Sequence, residues 1–265
     1  MAQQRSLKNI MRLIEVANNE LPVNQAFVAD LKMAIEKTEA LNKRTPSRTY
    51  KPSSMKCIRN MYFQVTGTPP DVSDANACLV GICEAGSDRH DRIQKAIDNM
   101  YKLGVECEYI DVAEFIKQRK LTHLNIVSKQ GMETKLFYPA LNMSFLCDGI
   151  IKYCHQYYIL EIKTETIHKW QNRDNVADEH IPQGTAYSIA FGIDKVMFLY
   201  ENRDNCDKKA YLLEVTPEMK RDLIGKIELC DDYRKSFTVP PFPEDVEKRT
   251  CAYCNYKESC RRAGK

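Results

Sequence analysis

The sequence predicts a mixed α/β fold, with helices before and after a central mixed β-sheet, on three observations. Apolar runs of strand length, bounded by turn residues, recur at 124–128, 134–138, 143–151, 157–163, 195–201 and 209–215. Helical periodicity flanks them on both sides, most clearly at 24–42, 88–103 and 217–235. With 265 residues, 43% of them hydrophobic and 28% charged, the chain has the size and composition to bury a substantial core. Helices outside a strand-rich centre give a layered α/β domain.

The elements follow in order. Residues 6–19 and 24–42 read as a helical hairpin interrupted at Pro22, with Asn24 as N-cap and Phe27, Leu31, Ala34, Thr38 and Leu41 on one face. A loop rich in Pro, Ser and basic residues covers 43–56, an apolar pattern resumes at 57–64, and TGTPPDVSDAN at 65–75 is loop again. In the amphipathic helix 88–103, closed by Gly104, His90, Ile93, Ile97 and Met100 share the face turned to the core. Asp111 and Glu114 form a capping box for a helix ending near 119. A turn at 152–156 folds one strand back on the next, Pro182 opens a helix, and Thr216 caps the helix that begins at Pro217.

Net charge is only +3, so electrostatics alone does not point to nucleic acid, although Lys43, Arg44, Arg48 and Lys51, and again Lys117, Arg119 and Lys120, are bunched. No apolar run approaches the roughly 18–20 residues that span a bilayer, and MAQQRSLKNIM lacks the apolar centre of a signal peptide. A soluble, cytoplasmic protein of a bacterium or a virus-infected host cell is the expectation. Eleven cysteines, an odd number with mostly irregular spacing, then point to metal binding rather than disulfides.

The segment FLCDGIIKYCHQYYILEIKTE, 145–165, places charge on apolar strands. In a strand, residues two apart face the same side, so Glu161 and Lys163 project together and Ile162 faces away. The intervening turn brings Asp148 close to Glu161. Two carboxylates converging with a lysine suit Mg²⁺ or Mn²⁺, with the lysine orienting or deprotonating a water. An acid-x-Lys pattern also occurs at Asp30, Glu133, Asp207 and Glu218; only Glu161 combines it with strand character, apolar neighbours and an upstream acid on another strand.

The ordered set His90, Asp148, Glu161-Ile162-Lys163 and Gln183-x-x-x-Tyr187 resembles the PD-(D/E)XK nuclease superfamily, in its RecB-like branch. Two departures stand out: Cys147 precedes Asp148 in place of the proline of the superfamily name, and Phe145 and Leu146 stand where a glycine is common. The tail carries Cys251-x2-Cys254-x5-Cys260, and Cys57 follows Ser53 and Ser54 in PSSMKCIRNMYF. That segment resembles the CRISPR-associated RecB-type exonucleases and related bacterial helicase–nuclease subunits, over about residues 50–263.

The resemblance implies a restriction-endonuclease-like core that hydrolyses DNA, as an exonuclease on single strands or duplex ends. His90, Asp148, Glu161 and the Ile162 carbonyl would hold Mg²⁺ or Mn²⁺; Lys163 would position water, with Gln183 and Tyr187 orienting it. Cys57, Cys251, Cys254 and Cys260 would hold a [4Fe–4S] cluster, although spacing alone also fits tetrahedral Zn²⁺. The other seven cysteines are expected buried, and Tyr50 and Trp170 are candidates to stack on unpaired bases. The expected organisation is a helical hairpin at 1–45, a nuclease core at 46–240 and a cysteine segment at 241–265. The hairpin would serve a protein partner or self-association. A catalytically silent DNA-binding or scaffold module on the same fold is the competing reading.

Overall fold

A computed structural model describes residues 22–41, 47–71, 77–244, 251 and 254–264. The chain divides into two compact units, 1–45 with 74–85 and 46–73 with 86–265.

In the first unit, helix α1 spans Val23–Leu41. The Pro22 carbonyl accepts the N–H groups of Gln25 and Ala26 at 2.8 and 3.0 Å. The helix therefore starts at the proline, and Asn24, the expected cap, lies inside it. No residue of α1 is buried, and Phe27 on its apolar face is 66% exposed. The expected helix at 6–19 lies outside the described residues.

The second unit opens with α2, Ile58–Val65, where the sequence showed an apolar pattern. Helix α3 runs Ala77–Lys102, starting eleven residues before the expected 88 and crossing from the first unit into the second. Gly81 and Gly86 weaken its apolar period without stopping the helix. Strand β1, Cys107–Ile110, is too short to show a period and was not expected. Asp111 Oδ1 accepts the N–H groups of Ala113 and Glu114 to start α4, Val112–Gln118.

Strands β2 (Asn125–Gln130), β3 (Glu133–Tyr138) and β4 (Met143–Cys147) form a three-stranded antiparallel sheet. Strands β5 (Gly149–Tyr153), β6 (Gln156–Glu165), β7 (Lys195–Asn202) and β8 (Lys208–Glu214) join β1 in a mixed sheet of order β1-β5-β6-β7-β8. Its β6–β7 pair is parallel and the other pairs are antiparallel. A parallel neighbour needs a crossover. The segment that supplies it carries α5 (Ile167–Gln171), a 3₁₀ turn (Asp178–His180) and α6 (Ile181–Phe191), in place of the loop expected before the helix at Pro182.

The expected strand at 143–151 is thus two strands in two sheets, and Asp148 is the single residue between them. Alternation cannot reveal such a joint, because apolar residues line both sheets.

The faces of β6 set the site. Ile159 joins the large core with Tyr187, Ala190 and Phe198, whereas Leu160 and Ile162 join a smaller core with Ile93, Cys107 and Ile151. By strand alternation Glu161 and Lys163 share the Ile159 side, toward α6. Helix α7, Pro217–Lys235, is capped by Thr216 as expected. The short helix α8 spans Lys257–Arg262.

Cys107, Cys147 and Cys230 are buried as expected, but Cys78, Cys83, Cys154 and Cys206 are exposed. Cys154 and His155 form the two-residue β5–β6 turn, both with positive φ, and Cys206 sits in the turn before β8 with φ 62°. Turn geometry, not apolar packing, places those two. Tyr50 is fully buried and donates to Asp231 at 2.9 Å. Trp170 is partly buried, donating to the Tyr200 carbonyl at 3.3 Å beneath the Lys209 ammonium. Both rings are committed to packing rather than presented for bases. Among the described residues, no helix is long and apolar enough to cross a membrane.

Candidate metal centre

Asp148 occupies the joint between the sheets, and the antiparallel register that pairs Gly149 with Leu160 sets it beside Glu161. Its Oδ2 accepts the Ile162 N–H at 2.7 Å. Its backbone carbonyl accepts Gln94 Nε2 at 2.6 Å and the Tyr109 hydroxyl at 2.7 Å. Gln94 lies one turn beyond His90 on α3, so the bond that holds the helix to this joint also delivers the imidazole. His90 Nδ1 lies 3.4 Å from Asp148 Oδ1 and 3.7 Å from Glu133 Oε1.

Glu161 is 3% exposed. Its Oε1 accepts Lys163 Nζ at 2.7 Å and Gln183 Nε2 at 2.6 Å. Its Oε2, also buried, has no hydrogen-bond partner. Gln183 Oε1 accepts Lys163 Nζ at 2.9 Å, so one amide holds both the Glu161 carboxyl and the Lys163 amine group. Gln183 Nε2 also lies 2.9 Å from the Tyr187 hydroxyl, which donates to the Leu146 carbonyl at 3.1 Å. The i, i+4 spacing of Gln183 and Tyr187 on α6 puts both on the face turned to β6.

The charges follow from this packing. Burial pushes Glu161 up to about 7 against the pull of Lys163, with Asp148 adding to the rise. Burial works to lower His90, but hydrogen bonds to Asp148 and Glu133 and the charges of Asp148 and Glu161 outweigh it and hold the imidazole up at about 10. In the metal-free site the carboxyls thus hold a proton on His90; a cation bound there would take the place of that proton, leaving the imidazole neutral. A buried carboxyl oxygen without a partner costs free energy. A divalent cation would satisfy that oxygen, and a donor set of carboxylates with one imidazole fits Mg²⁺ or Mn²⁺.

His90, Asp148, Glu161, Lys163, Gln183 and Tyr187 are therefore brought together. Ile162 gives its N–H to Asp148 while its side chain packs in the smaller core. The ligand atoms of His90, Glu133 and Asp148 lie within 4.8 Å of one another, and this group does not include Glu161. Glu133 was set aside by sequence reasoning because its acid-x-Lys pattern recurs elsewhere. Only the three-dimensional return of the β2–β3 hairpin, closed by Gly131 and Met132, carries it to His90.

Basic residues gather before α6. Glu179 pairs with Lys56 at 3.4 Å and Lys169 at 3.8 Å. Arg173 holds buried Glu165 through two bonds of 2.7 and 2.8 Å and lies 4.5 Å from the Tyr200 ring centroid. His180, stacked on Phe198 and Tyr200, is held down at about 2 by burial and then by the charges of Lys163, Arg173, Lys56 and Lys169.

Cys57, Cys251, Cys254 and Cys260 line one cavity of about 440 Å³ with Arg59 and Asn60. Among the described residues, no three of these sulfurs come within 4.8 Å of one another. A zinc tetrahedron with Zn–S bonds of ~2.3 Å brings its sulfurs to about 3.8 Å, so this arrangement is wider than a preformed zinc site. Arg59 Nη1 donates to Cys260 Sγ at 3.4 Å, while Asn60 Nδ2 and the Tyr256 N–H donate to Cys254 Sγ at 3.5 and 3.4 Å. At Cys254 the bonds from Tyr256 and Asn60 work against the burial that raises its thiol, and burial raises Cys57 as well.

No family model and no curated protein matches the chain. Among solved structures it aligns with SSO0001 at 13% identity and a TM-score of 0.47, over 91% of this chain and 99% of that one. It also aligns with LHK-Exo in complex with dAMP at 9% identity and a TM-score of 0.46, over 72% of this chain and 90% of the other. A second structure of LHK-Exo, an alkaline exonuclease from Laribacter hongkongensis, aligns over the same shares at 9% identity with a TM-score of 0.42. The roles of the site residues rest on the geometry above.

Proposed function

We propose that the protein is a metal-dependent deoxyribonuclease of the PD-(D/E)XK superfamily, in its RecB-like branch, cutting single-stranded DNA or DNA ends as an exonuclease. The observation that carries the reading is the Asp148–Glu161–Lys163–Gln183 network, with its one unpaired carboxylate oxygen, Glu161 Oε2. Asp148, Glu161, the Ile162 carbonyl and His90 would hold Mg²⁺ or Mn²⁺. A divalent cation there supplies positive charge to a phosphodiester and lowers the pKa of a bound water.

The chain's own groups do the rest. Lys163, fixed by Glu161 and Gln183, holds the attacking water by hydrogen bonding and takes up its proton when present as the amine. Gln183 fixes the direction of the lysine, and Tyr187, anchored on Leu146, fixes Gln183. Asp148, tied to the Ile162 N–H, keeps its other oxygen toward His90. Lys56 and Lys169 stand within electrostatic reach of His180 and supply the cationic edge that a DNA backbone requires.

We further propose that Cys57, Cys251, Cys254 and Cys260 hold a [4Fe–4S] cluster in a structural role. The shared cavity and the donors to Cys254 and Cys260 support it. Protein purified without oxygen would then be brown, with about four irons per chain by elemental analysis.

The test of the activity is end-labelled linear DNA, single- and double-stranded, incubated with Mn²⁺, Mg²⁺ or EDTA, with Lys163→Ala in parallel. Metal-dependent degradation that the variant lacks supports the proposal. Well-folded wild-type protein that cuts neither substrate overturns it in favour of a silent DNA-binding module.

A further inference from the structure

Three elements that share no sequence motif meet around one point. His90 comes from α3, Asp148 from the joint between the sheets, and Glu133 from the first residue of β3, beside the β2–β3 turn. Their ligand atoms lie within 4.8 Å of one another, with His90 Nδ1 3.4 Å from Asp148 Oδ1 and 3.7 Å from Glu133 Oε1. Nearby Glu161 is nine-tenths buried or more and has one oxygen with no partner, and its charge acts on both His90 and Asp148.

The hairpin is not there by chance contact. The Tyr109 hydroxyl lies 2.7 Å from the Asp148 carbonyl and 3.2 Å from the carbonyl of Met132, the residue before Glu133. One phenol thus spans the joint and the turn. Space for its ring depends on Gly149, where an added Cβ would come within 2.6 Å of Tyr109. On the other side, Gln94 ties α3 to the same Asp148 carbonyl. All three ligand-bearing segments are therefore referenced to one backbone oxygen.

We propose that Glu133 is a metal ligand, completing with His90 and Asp148 a cation position separate from the one at Asp148 and Glu161, and that this position selects Mn²⁺ over Mg²⁺. In this two-ion arrangement His90 passes from the Glu161 ion to the Glu133 position, and the Glu161 position keeps Asp148, Glu161 and the Ile162 carbonyl, all oxygen donors. Asp148 is shared: its Oδ1 faces His90 and its Oδ2 lies at the Ile162 N–H, on the β6 side. The selectivity follows from donor type. A position built only of carboxylate, carbonyl and water oxygens accepts Mg²⁺, whereas an imidazole donor favours the softer transition ions. Tyr109 acts as a positioning residue that fixes the hairpin and touches no ion itself. The inference rests on the nuclease reading for the position at Glu161, and adds to it the β2–β3 hairpin as a functional element.

The experiment counts bound Mn²⁺ by electron paramagnetic resonance of the free aqueous ion, on full-length wild-type protein, Glu133→Gln and Glu161→Gln, with Mg²⁺ as competitor. The expected wild-type result is two Mn²⁺ per chain, one displaced by millimolar Mg²⁺ and one retained. Glu133→Gln should lose the retained ion, with at least a tenfold weaker affinity, and keep the Mg²⁺-sensitive one. Glu161→Gln should show the converse. Tyr109→Phe should weaken the retained ion while its melting curve stays cooperative. Two ions bound with unchanged affinity by Glu133→Gln would overturn the inference and leave the nuclease reading standing. A wild-type protein that binds no Mn²⁺ would remove both. Circular dichroism of each variant separates ligand loss from misfolding.

Discussion

Replacing Glu161 by glutamine should make the metal-free protein more stable and the metal-loaded protein less stable than the wild type. The buried carboxylate leaves Oε2 without a partner, which costs about 1–3 kcal/mol. Glutamine keeps an acceptor for Lys163 and Gln183 but weakens those bonds by roughly 1 kcal/mol, since the acceptor is no longer charged. The net gain is up to about 2 kcal/mol at neutral pH. At ~2.1 cal/mol/K per residue, 265 residues give an unfolding entropy of about 0.56 kcal/mol/K, so Tm rises by up to roughly 4 °C. In Mn²⁺ at a hundred times Kd the wild type gains about 2.7 kcal/mol, or roughly 5 °C, from the Glu161 position, and the variant gains none of that share. The pH dependence has a definite sign. The folded carboxyl sits at about 7 against 4.5 unfolded, so the metal-free wild type takes up a proton on folding between these values and loses stability as pH rises through them. Glu161→Gln removes that slope. Thermal melts in EDTA and in MnCl₂, at pH 5 and pH 8, measure every part of this. A variant less stable than the wild type in EDTA, or one whose Mn²⁺ shift equals the wild type's, would refute the assignment of Glu161 as a strained ligand.

Three other outcomes are expected. Glu179→Gln releases Lys56 and Lys169 from their shared carboxylate, so DNA affinity at low salt should rise and the slope of log K against log salt should steepen by about one to two contacts, read by fluorescence anisotropy. Gly149→Ala drives a Cβ into the Tyr109 ring and should cost about 1–3 kcal/mol in urea denaturation, whereas Tyr109→Phe, which keeps the ring, should cost less. Asp71 accepts the Glu258 and Ser259 N–H groups at the start of α8; those bonds outweigh burial and hold its carboxyl below the usual range. Asp71→Ala should therefore lose about 1 kcal/mol at pH 7, and the difference from the wild type should shrink as pH falls below about 4, where the cap is protonated.

The sequence made the ladder of β6, the Gln183–Tyr187 face of α6 and the capped start of α7 legible, because period and capping are local signals. It also put Asp148, Glu161 and Lys163 within reach of one another, because a tight turn between two strands has few geometries. Three features escaped for one shared reason, that they depend on pairing across distance. Strand β1 is four residues long and exists through its partner β5. The division at Asp148 is invisible where both sheets demand apolar residues. Glu133 shares its acid-x-Lys pattern with surface positions, and only the hairpin's approach to α3 distinguishes it. The exposed cysteines of the turns show the limit of composition: a residue type that favours burial is placed outside when backbone geometry governs.

Arg59 carries a consequence for how the protein is made. Its guanidinium, 3% exposed, donates to the Pro240 carbonyl at 2.8 Å and to the Cys260 and Gly264 carbonyls at 3.1 and 2.6 Å. The nearest of these partners in sequence is 181 residues downstream. At ~5–20 residues per second, the ribosome delivers it about 10–35 s after Arg59. Until then a charge destined for the interior has only water to bond, and α2 cannot settle against its final neighbours. A nascent chain broken off before residue 240 would have to bury that charge bare, at a cost of several kcal/mol. Any fragment that stops short of residue 240 therefore lacks every acceptor that lets α2 pack with the Arg59 guanidinium inside.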